Sequence, residues 1–237
     1  MLFRSGYPVI ERKPLMTGGD DFRRRHGIAP NQTLLAVLPG SRRSEIRFIL
    51  PIFRETAARL AREVPGFVCA MPTVGYVAHL VREAAQSWPV RAIVTEGERE
   101  KYAAFDAADA ALAASGTVTS ELALSGTPMV VGYRLGWLTA ALMRPLIHIE
   151  YVTLVNLVLG RGVIPEFVQE KCTPENLLRA LKPLVADEAA RAVQRAGLEE
   201  AGRAFGLGQE SPSLRAARAV LELARGELPS RAKSSTL

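Results

Sequence analysis

Between residues 33 and 131 short apolar runs alternate with longer amphipathic stretches, and two of the joints between them carry glycine beside hydroxyl and guanidinium side chains. The spacing predicts strands at 33–38, 67–71, 91–94, 108–113 and 129–131. It predicts helices at 44–63, 76–86, 98–105 and 117–124, the first with Ile46, Ile49, Leu50, Phe53, Ala57 and Leu60 at helical spacing. Such alternation constrains the fold class to α/β, a parallel sheet with helices on both faces. Right-handed crossovers make it Rossmann-like.

The first glycine joint reads Leu38-Pro39-Gly40-Ser41-Arg42, and the second reads Ala114-Ser115-Gly116-Thr117 with Glu121 in the stretch that follows. In an open α/β sheet these joints lie at strand C-termini, where phosphate-bearing ligands meet the free N–H groups of helix N-termini. Gly40 permits a sharp turn and close approach. Ser41 can cap a helix or donate to a phosphate oxygen, and Arg42 can fork onto a diphosphate. Ser115, Gly116 and Thr117 offer backbone N–H groups and two hydroxyls. Glu121 stands one helical turn beyond Thr117 and can accept both hydroxyls of a ribose. Each feature also has a plainer reading. Both joints read equally as ordinary capped turns, and Glu121 taken alone reads better as a surface glutamate favoured by the helix dipole. Asn156, in an apolar stretch, needs hydrogen-bond partners if buried, and structural and ligand-reading roles stay open.

The net charge of +6 and pI near 9.7 suit an anionic ligand, an anionic membrane surface or nucleic acid. An aromatic content of 6% and the lack of a nucleic-acid motif argue against the last. Cys69 and Cys172 stand without CxxC or Cys/His spacing, so reduced thiols in a reducing compartment and no structural zinc are expected; no other metal and no cofactor is expected either. His26, His79 and His148 face no suitably spaced nucleophile or carboxylate. No apolar run reaches the roughly 18 residues of a membrane span, and the N-terminus is too short and polar for a signal peptide. Trp137, Leu138, Leu142 and Arg144 form an amphipathic cluster, read as core packing slightly ahead of contact with an anionic bilayer.

Past Tyr133 the pattern predicts a helix at 136–143 and an irregular apolar stretch at 151–159. Helices follow at 175–184, 187–203 and 212–225, with Thr173 as N-cap and Pro174 at the first helical position of the first of them. The expected organisation is a linker and remnant of a preceding domain at 1–30, a Rossmann-like nucleotide-binding domain at 31–184, C-terminal helices at 185–228 and a disordered tail at 229–237.

Two further segments stand beside the glycine joints: Pro128-Met129-Val130-Val131-Gly132-Tyr133-Arg134, and Tyr151-Val152-Thr153-Leu154-Val155-Asn156-Leu157 running into Gly160-Arg161. These four segments together resemble the lipid-A-disaccharide synthases, glycosyltransferases of the two-Rossmann-domain (GT-B) architecture. The resemblance implies an inverting hexosyltransferase of Gram-negative lipid A biosynthesis. It moves 2,3-diacylglucosamine from its UDP donor onto 2,3-diacylglucosamine 1-phosphate (lipid X) and releases UDP. It also implies that Gly40, Ser41 and Arg42 meet the donor diphosphate, with Ser115, Gly116 and Thr117 near it. Glu121 holds the ribose, Asn156 lies close to the donor, and Tyr133 and Arg134 line the cleft. Arg42 and Asn156 are the catalytic candidates.

The implied partners are UDP-2,3-diacylglucosamine, UDP, lipid X through a preceding domain, the cytoplasmic face of the inner membrane and, as an option, a second copy, with no nucleic acid. Two departures stand out. Val155 replaces the family's proline before the asparagine. The family's N-terminal domain, with the acceptor site and the general base, has no counterpart: residues 1–15 resemble only its end, with Gly6-Tyr7-Pro8 in place of Gly-His-Pro. The chain alone is therefore expected to bind UDP or the UDP-sugar without transferring the sugar. Alternatives are another GT-B enzyme using UDP-GlcNAc, of the peptidoglycan N-acetylglucosaminyltransferase or UDP-sugar epimerase type, or a non-catalytic nucleotide-binding fragment.

Overall fold

Residues 7–134 and 150–225 are described by a computed structural model. Their strands form one parallel sheet in the order β3-β2-β1-β4-β5-β6, where β1 is Leu34–Leu38, β2 Val68–Thr73, β3 Ala92–Glu96, β4 Ala110–Ala114, β5 Met129–Tyr133 and β6 Glu166–Val168. β1 and β4 are buried along their whole length, which is why they read as unbroken apolar runs rather than alternating ones.

Successive strand residues point to opposite faces and build two cores. Leu34, Ala36, Leu38, Ala70, Ala113 and Val131 face α1 (Gly19–Arg25), α4 (Glu98–Ala107), α5 (Thr117–Ser125), α6 (Leu154–Leu159) and α8 (Glu188–Ala204). Leu35, Val37, Cys69, Met71, Leu112 and Val130 face α2 (Arg43–Glu63), α3 (Gly75–Gln86) and α7 (Pro174–Ala186). The two-sided burial and the strand order give the Rossmann-like α/β arrangement that the alternation implies, and α8 and α9 (Pro212–Ala224) follow as C-terminal helices.

Differences from the sequence expectations cluster where elements are short. The stretch expected to be irregular contains α6, whose Thr153 N-cap accepts from the Asn156 amide and whose C-cap Gly160 has φ +61°. Six residues are too few for helical periodicity to register. The three-residue strand β6 pairs with β5 at Val131↔Glu166 and has no sequence signature of its own. Pro8–Leu15 forms a 3-10 helix, and Val9, Ile10 and Met16 join the same core as Phe22 and Ile28. The expected 136–143 helix, the Trp137–Arg144 cluster, His148 and the 229–237 tail lie outside the described residues.

The site is positioned by the sheet order. From β1 the chain moves outward through β2 and β3, then returns to β4 on the other side of β1. Leu38 is in register with Ala113, so the turns after β1 and β4 emerge side by side. A reversal of this kind opens a crevice at the strand C-termini.

Candidate functional site

A cleft of about 310 Å³ occupies that crevice. Its walls are the Gly40–Arg42 turn, Thr73 and Val74 at the C-terminal end of β2, the Ser115–Thr117 turn, and the side chains of Glu45, Lys101 and Glu121. The volume falls in the range of small-molecule sites. Of the residues singled out in the sequence, Gly40, Ser41, Arg42, Ser115, Gly116, Thr117 and Glu121 all border this space.

The first turn is organised by a residue that the sequence reading passed over. Glu45, at the third position of α2, turns its carboxylate back over the helix start. Oε2 accepts the backbone N–H groups of Ser41 (2.9 Å) and Arg42 (3.1 Å), and Oε1 accepts Arg42 Nη1 (2.7 Å). Glu45 is 7% exposed, whereas the Arg42 side chain is 73% exposed. Gly40 sits at φ +112°, and a Cβ there would fall 2.5 Å from Glu45 Oε2. The glycine thus makes room for this carboxylate. The signal in the sequence was the spacing: a glutamate three residues after an N-cap reaches back to its amide.

The second turn leads into α5, where Thr119 bonds back to the Gly116 carbonyl through both its backbone N–H and its hydroxyl. Gly116 and Thr117 are exposed to the cleft. Ser115 Oγ donates to the Val152 carbonyl at 3.2 Å and so ties this turn to the start of α6.

Glu121 is only 6% exposed, unlike the surface glutamate that its position in α5 suggested. Lys101 Nζ lies 2.9 Å from each of its carboxylate oxygens, and the Tyr102 hydroxyl donates to Oε1 at 3.0 Å. Arg12 comes within 3.9 Å and also donates to the Tyr102 hydroxyl. Burial pushes the Tyr102 phenol well above its usual range, against the pull of the Arg12 hydrogen bond. Each carboxylate oxygen has two acceptor positions. Among the described residues only Lys101 bonds to Oε2, which leaves one position there for a hydroxyl at the cleft.

Tyr133, Arg134 and Asn156 lie outside the lining of this cleft. Tyr133 is half-buried beside its edge: burial raises its phenol pKa, the Glu45 charge adds to the rise and Arg42 opposes it. Arg134 is exposed at the end of β5. Asn156 is 1% exposed. Its Oδ1 accepts the N–H groups of Val163 (2.8 Å) and Ile164 (2.9 Å), and its Nδ2 donates to the Ile164 carbonyl and Glu166 Oε1 (2.8 Å each). An amide side chain has two donors and two acceptor positions, and all four are used within the protein. Glu166 further accepts the N–H groups of Val152 (2.8 Å) and Thr153 (2.9 Å). Asn156 and Glu166 together hold the segment on which Ser115 rests.

Cys69 and Cys172 are buried and unpaired with one another, and burial pushes their thiols up to about 12 and about 11. Among the described residues no cluster of three metal-ligating side chains occurs, and no helix is long and apolar enough to cross a membrane.

Residues 5–218 match the family model for lipid-A-disaccharide synthetase. A curated relative, the lipid-A-disaccharide synthase of Rhodospirillum centenum, is 46% identical over 97% of this chain and 59% of its own length. The chain thus spans somewhat less than three fifths of that relative. Among solved structures, the S. aureus MnaA–UDP co-structure has a TM-score of 0.63 at 16% identity, covering 96% of this chain and 56% of that one. WaaG, a glycosyltransferase involved in lipopolysaccharide biosynthesis, has a TM-score of 0.57 at 16% identity, covering 84% and 50%. At such identities these two likenesses concern the fold alone.

Proposed function

The chain belongs to the lipid-A-disaccharide synthetase family, and from that premise we propose that it supplies the donor-binding half of a glycosyltransferase. The reaction moves 2,3-diacylglucosamine from UDP onto 2,3-diacylglucosamine 1-phosphate. An acceptor hydroxyl attacks the anomeric carbon, the bond from that carbon to the diphosphate oxygen breaks, and UDP leaves with the electron pair. The proton of the attacking hydroxyl goes to a general base supplied outside this cleft.

In this reading the donor diphosphate lies across the N-termini of α2 and α5. Gly40, Ser41 and Arg42 meet it from one side and Ser115, Gly116 and Thr117 from the other. Glu121, held by Lys101, accepts the ribose hydroxyls at the opposite end. Arg42 is the cation best placed to meet charge as it builds on the departing UDP, because its guanidinium is largely exposed and can exchange its ion pair with Glu45 for one with phosphate. Fixed donors aimed at a developing anion commonly contribute about 10²–10³ in rate apiece. Asn156 contributes through the 152–166 segment that it and Glu166 hold, with Tyr133 and Arg134 at the cleft's edge. The basic balance of the chain suits work at an anionic bilayer carrying the acylated substrates, in a cytoplasmic enzyme peripheral to the inner membrane.

One observation carries the reading: two glycine turns and a buried carboxylate converge on one cleft at the reversal of strand order. Calorimetric titration with UDP tests it. Saturable binding is expected, weakened by Arg42→Ala and by Glu121→Ala. A folded chain that takes no UDP, alone or joined to the rest of such an enzyme, overturns it.

A further inference from the structure

We infer that the Glu45 carboxylate occupies the diphosphate seat of the unliganded cleft and makes the site favour a UDP-sugar over free UDP. The inference rests on the donor-site reading above and adds a discrimination to it.

The donors that Glu45 holds are those an arriving diphosphate needs: the Ser41 and Arg42 backbone N–H groups and the Arg42 guanidinium. A carboxylate is itself a small anion with the same preference for clustered N–H groups. Its seat is built for it, since only a glycine at position 40 leaves space for Oε2. It is also shielded from water at 7% exposure, so its charge is poorly screened. A diphosphate entering the turn either displaces this carboxylate or settles beside it. Both outcomes oppose binding, and both grow with the charge of the ligand.

The two ligands differ in charge. In a UDP-sugar each phosphate carries one negative charge. In free UDP the terminal phosphate loses a second proton with a pKa near 6, so above neutrality UDP carries about one charge more. Repulsion from Glu45 therefore falls harder on the product than on the donor. After transfer the same carboxylate competes for the turn and speeds the departure of UDP. Glu45 is on this account a specificity-determining residue, and it touches neither the anomeric carbon nor the acceptor.

The test is calorimetric titration at pH 8 with two probes, UDP and UDP-GlcNAc, on the native chain, Glu45→Gln and Glu45→Asp. Glutamine keeps the size and one acceptor oxygen and loses the charge. Expected for Glu45→Gln is UDP binding about tenfold tighter, as removal of one nearby like charge predicts, with a clearly smaller gain for UDP-GlcNAc. Glu45→Asp, which keeps the charge while disturbing the same helix start, is expected to retain the native ratio of the two affinities. Native binding with equal or weaker binding of both probes by Glu45→Gln overturns the inference and makes Glu45 a clamp for Arg42. The same holds if Glu45→Asp shifts the ratio as Glu45→Gln does. A folded native chain that binds neither probe overturns the donor-site reading itself, and this inference with it.

Discussion

Lys101 Nζ lies 2.9 Å from both carboxylate oxygens of Glu121, two helices meeting over one buried charge. Glu121 is almost sealed from water, and its other partners are the Tyr102 hydroxyl at 3.0 Å and Arg12 at 3.9 Å. A buried carboxylate stripped of its cation is costly, more so than the pair is worth when both partners are present.

Lys101→Met should therefore destabilise the fold by about 2 kcal/mol, lowering the melting temperature by roughly 6 °C. The aliphatic stem is kept, so the loss isolates the ammonium. Adding Glu121→Gln should recover part of it, because a neutral amide needs no counter-ion. A single variant that melts with the native chain would mean that Tyr102 and Arg12 suffice for Glu121. On the donor-site proposal, UDP affinity should also fall in Lys101→Met, since Glu121 loses the cation that orients it.

Asn156→Ala is predicted to act on stability before it acts on any ligand. It orphans the N–H groups of Val163 and Ile164 and the Ile164 carbonyl. Leaving such groups buried without partners costs about 3 kcal/mol. Asn156→Asp should be at least as damaging, because a carboxylate would face Glu166 and the Ile164 carbonyl where the amide donated. Urea titration of the three chains measures this. An Asn156→Ala chain with native stability and lost UDP binding would instead place this side chain in the donor's reach.

The sequence discloses what is local and conceals what folding assembles. The Gly40–Arg42 and Ser115–Glu121 segments were legible because turn chemistry and helix starts are written in a few adjacent residues. Their convergence followed from the alternation, since one parallel sheet brings its strand ends to one edge. Lys101 and Arg12 carried no signal: one packs against Glu121 from another helix, the other from the Pro8–Leu15 segment. Asn156 was visible as a polar side chain in an apolar run, but its four partners lie 7–10 residues further on in a stretch whose short elements α6 and β6 have no periodicity to read.

Acid should loosen one particular junction. The Glu11 carboxylate accepts the Ser211 hydroxyl and, at 2.8 Å each, the Ser213 amide and hydroxyl, tying the Pro8–Leu15 segment to the start of α9. The Ser211 hydroxyl foremost, then the two Ser213 groups, hold its pKa below the usual 4.5. A carboxylate with a depressed folded pKa stabilises above its unfolded pKa, and that contribution is lost as pH falls through the folded value. Amide exchange at Ser213 should therefore quicken below about pH 4.5, relative to the buried strand amides. Glu11→Gln should flatten that dependence. Exchange at Ser213 that tracks β1 throughout would show that α9 is held by other contacts.

Gly40→Ala offers the sharpest reading of the first turn, because two faults coincide there. At φ +112° any side chain is strained, at about 2 kcal/mol. The added Cβ would also lie 2.5 Å from Glu45 Oε2 and 2.7 Å from Glu45 Cβ. Only the second fault depends on Glu45. Glu45→Gly removes both colliding atoms and leaves the backbone strain, and its own helix penalty appears equally in the single and double variants. A double-mutant cycle by chemical denaturation should therefore show the pair less destabilised than the sum, by about 1 kcal/mol or more. Coupling on this scale means that glycine stands at position 40 to admit the carboxylate. Additivity within about 0.5 kcal/mol would instead assign the glycine to backbone conformation alone.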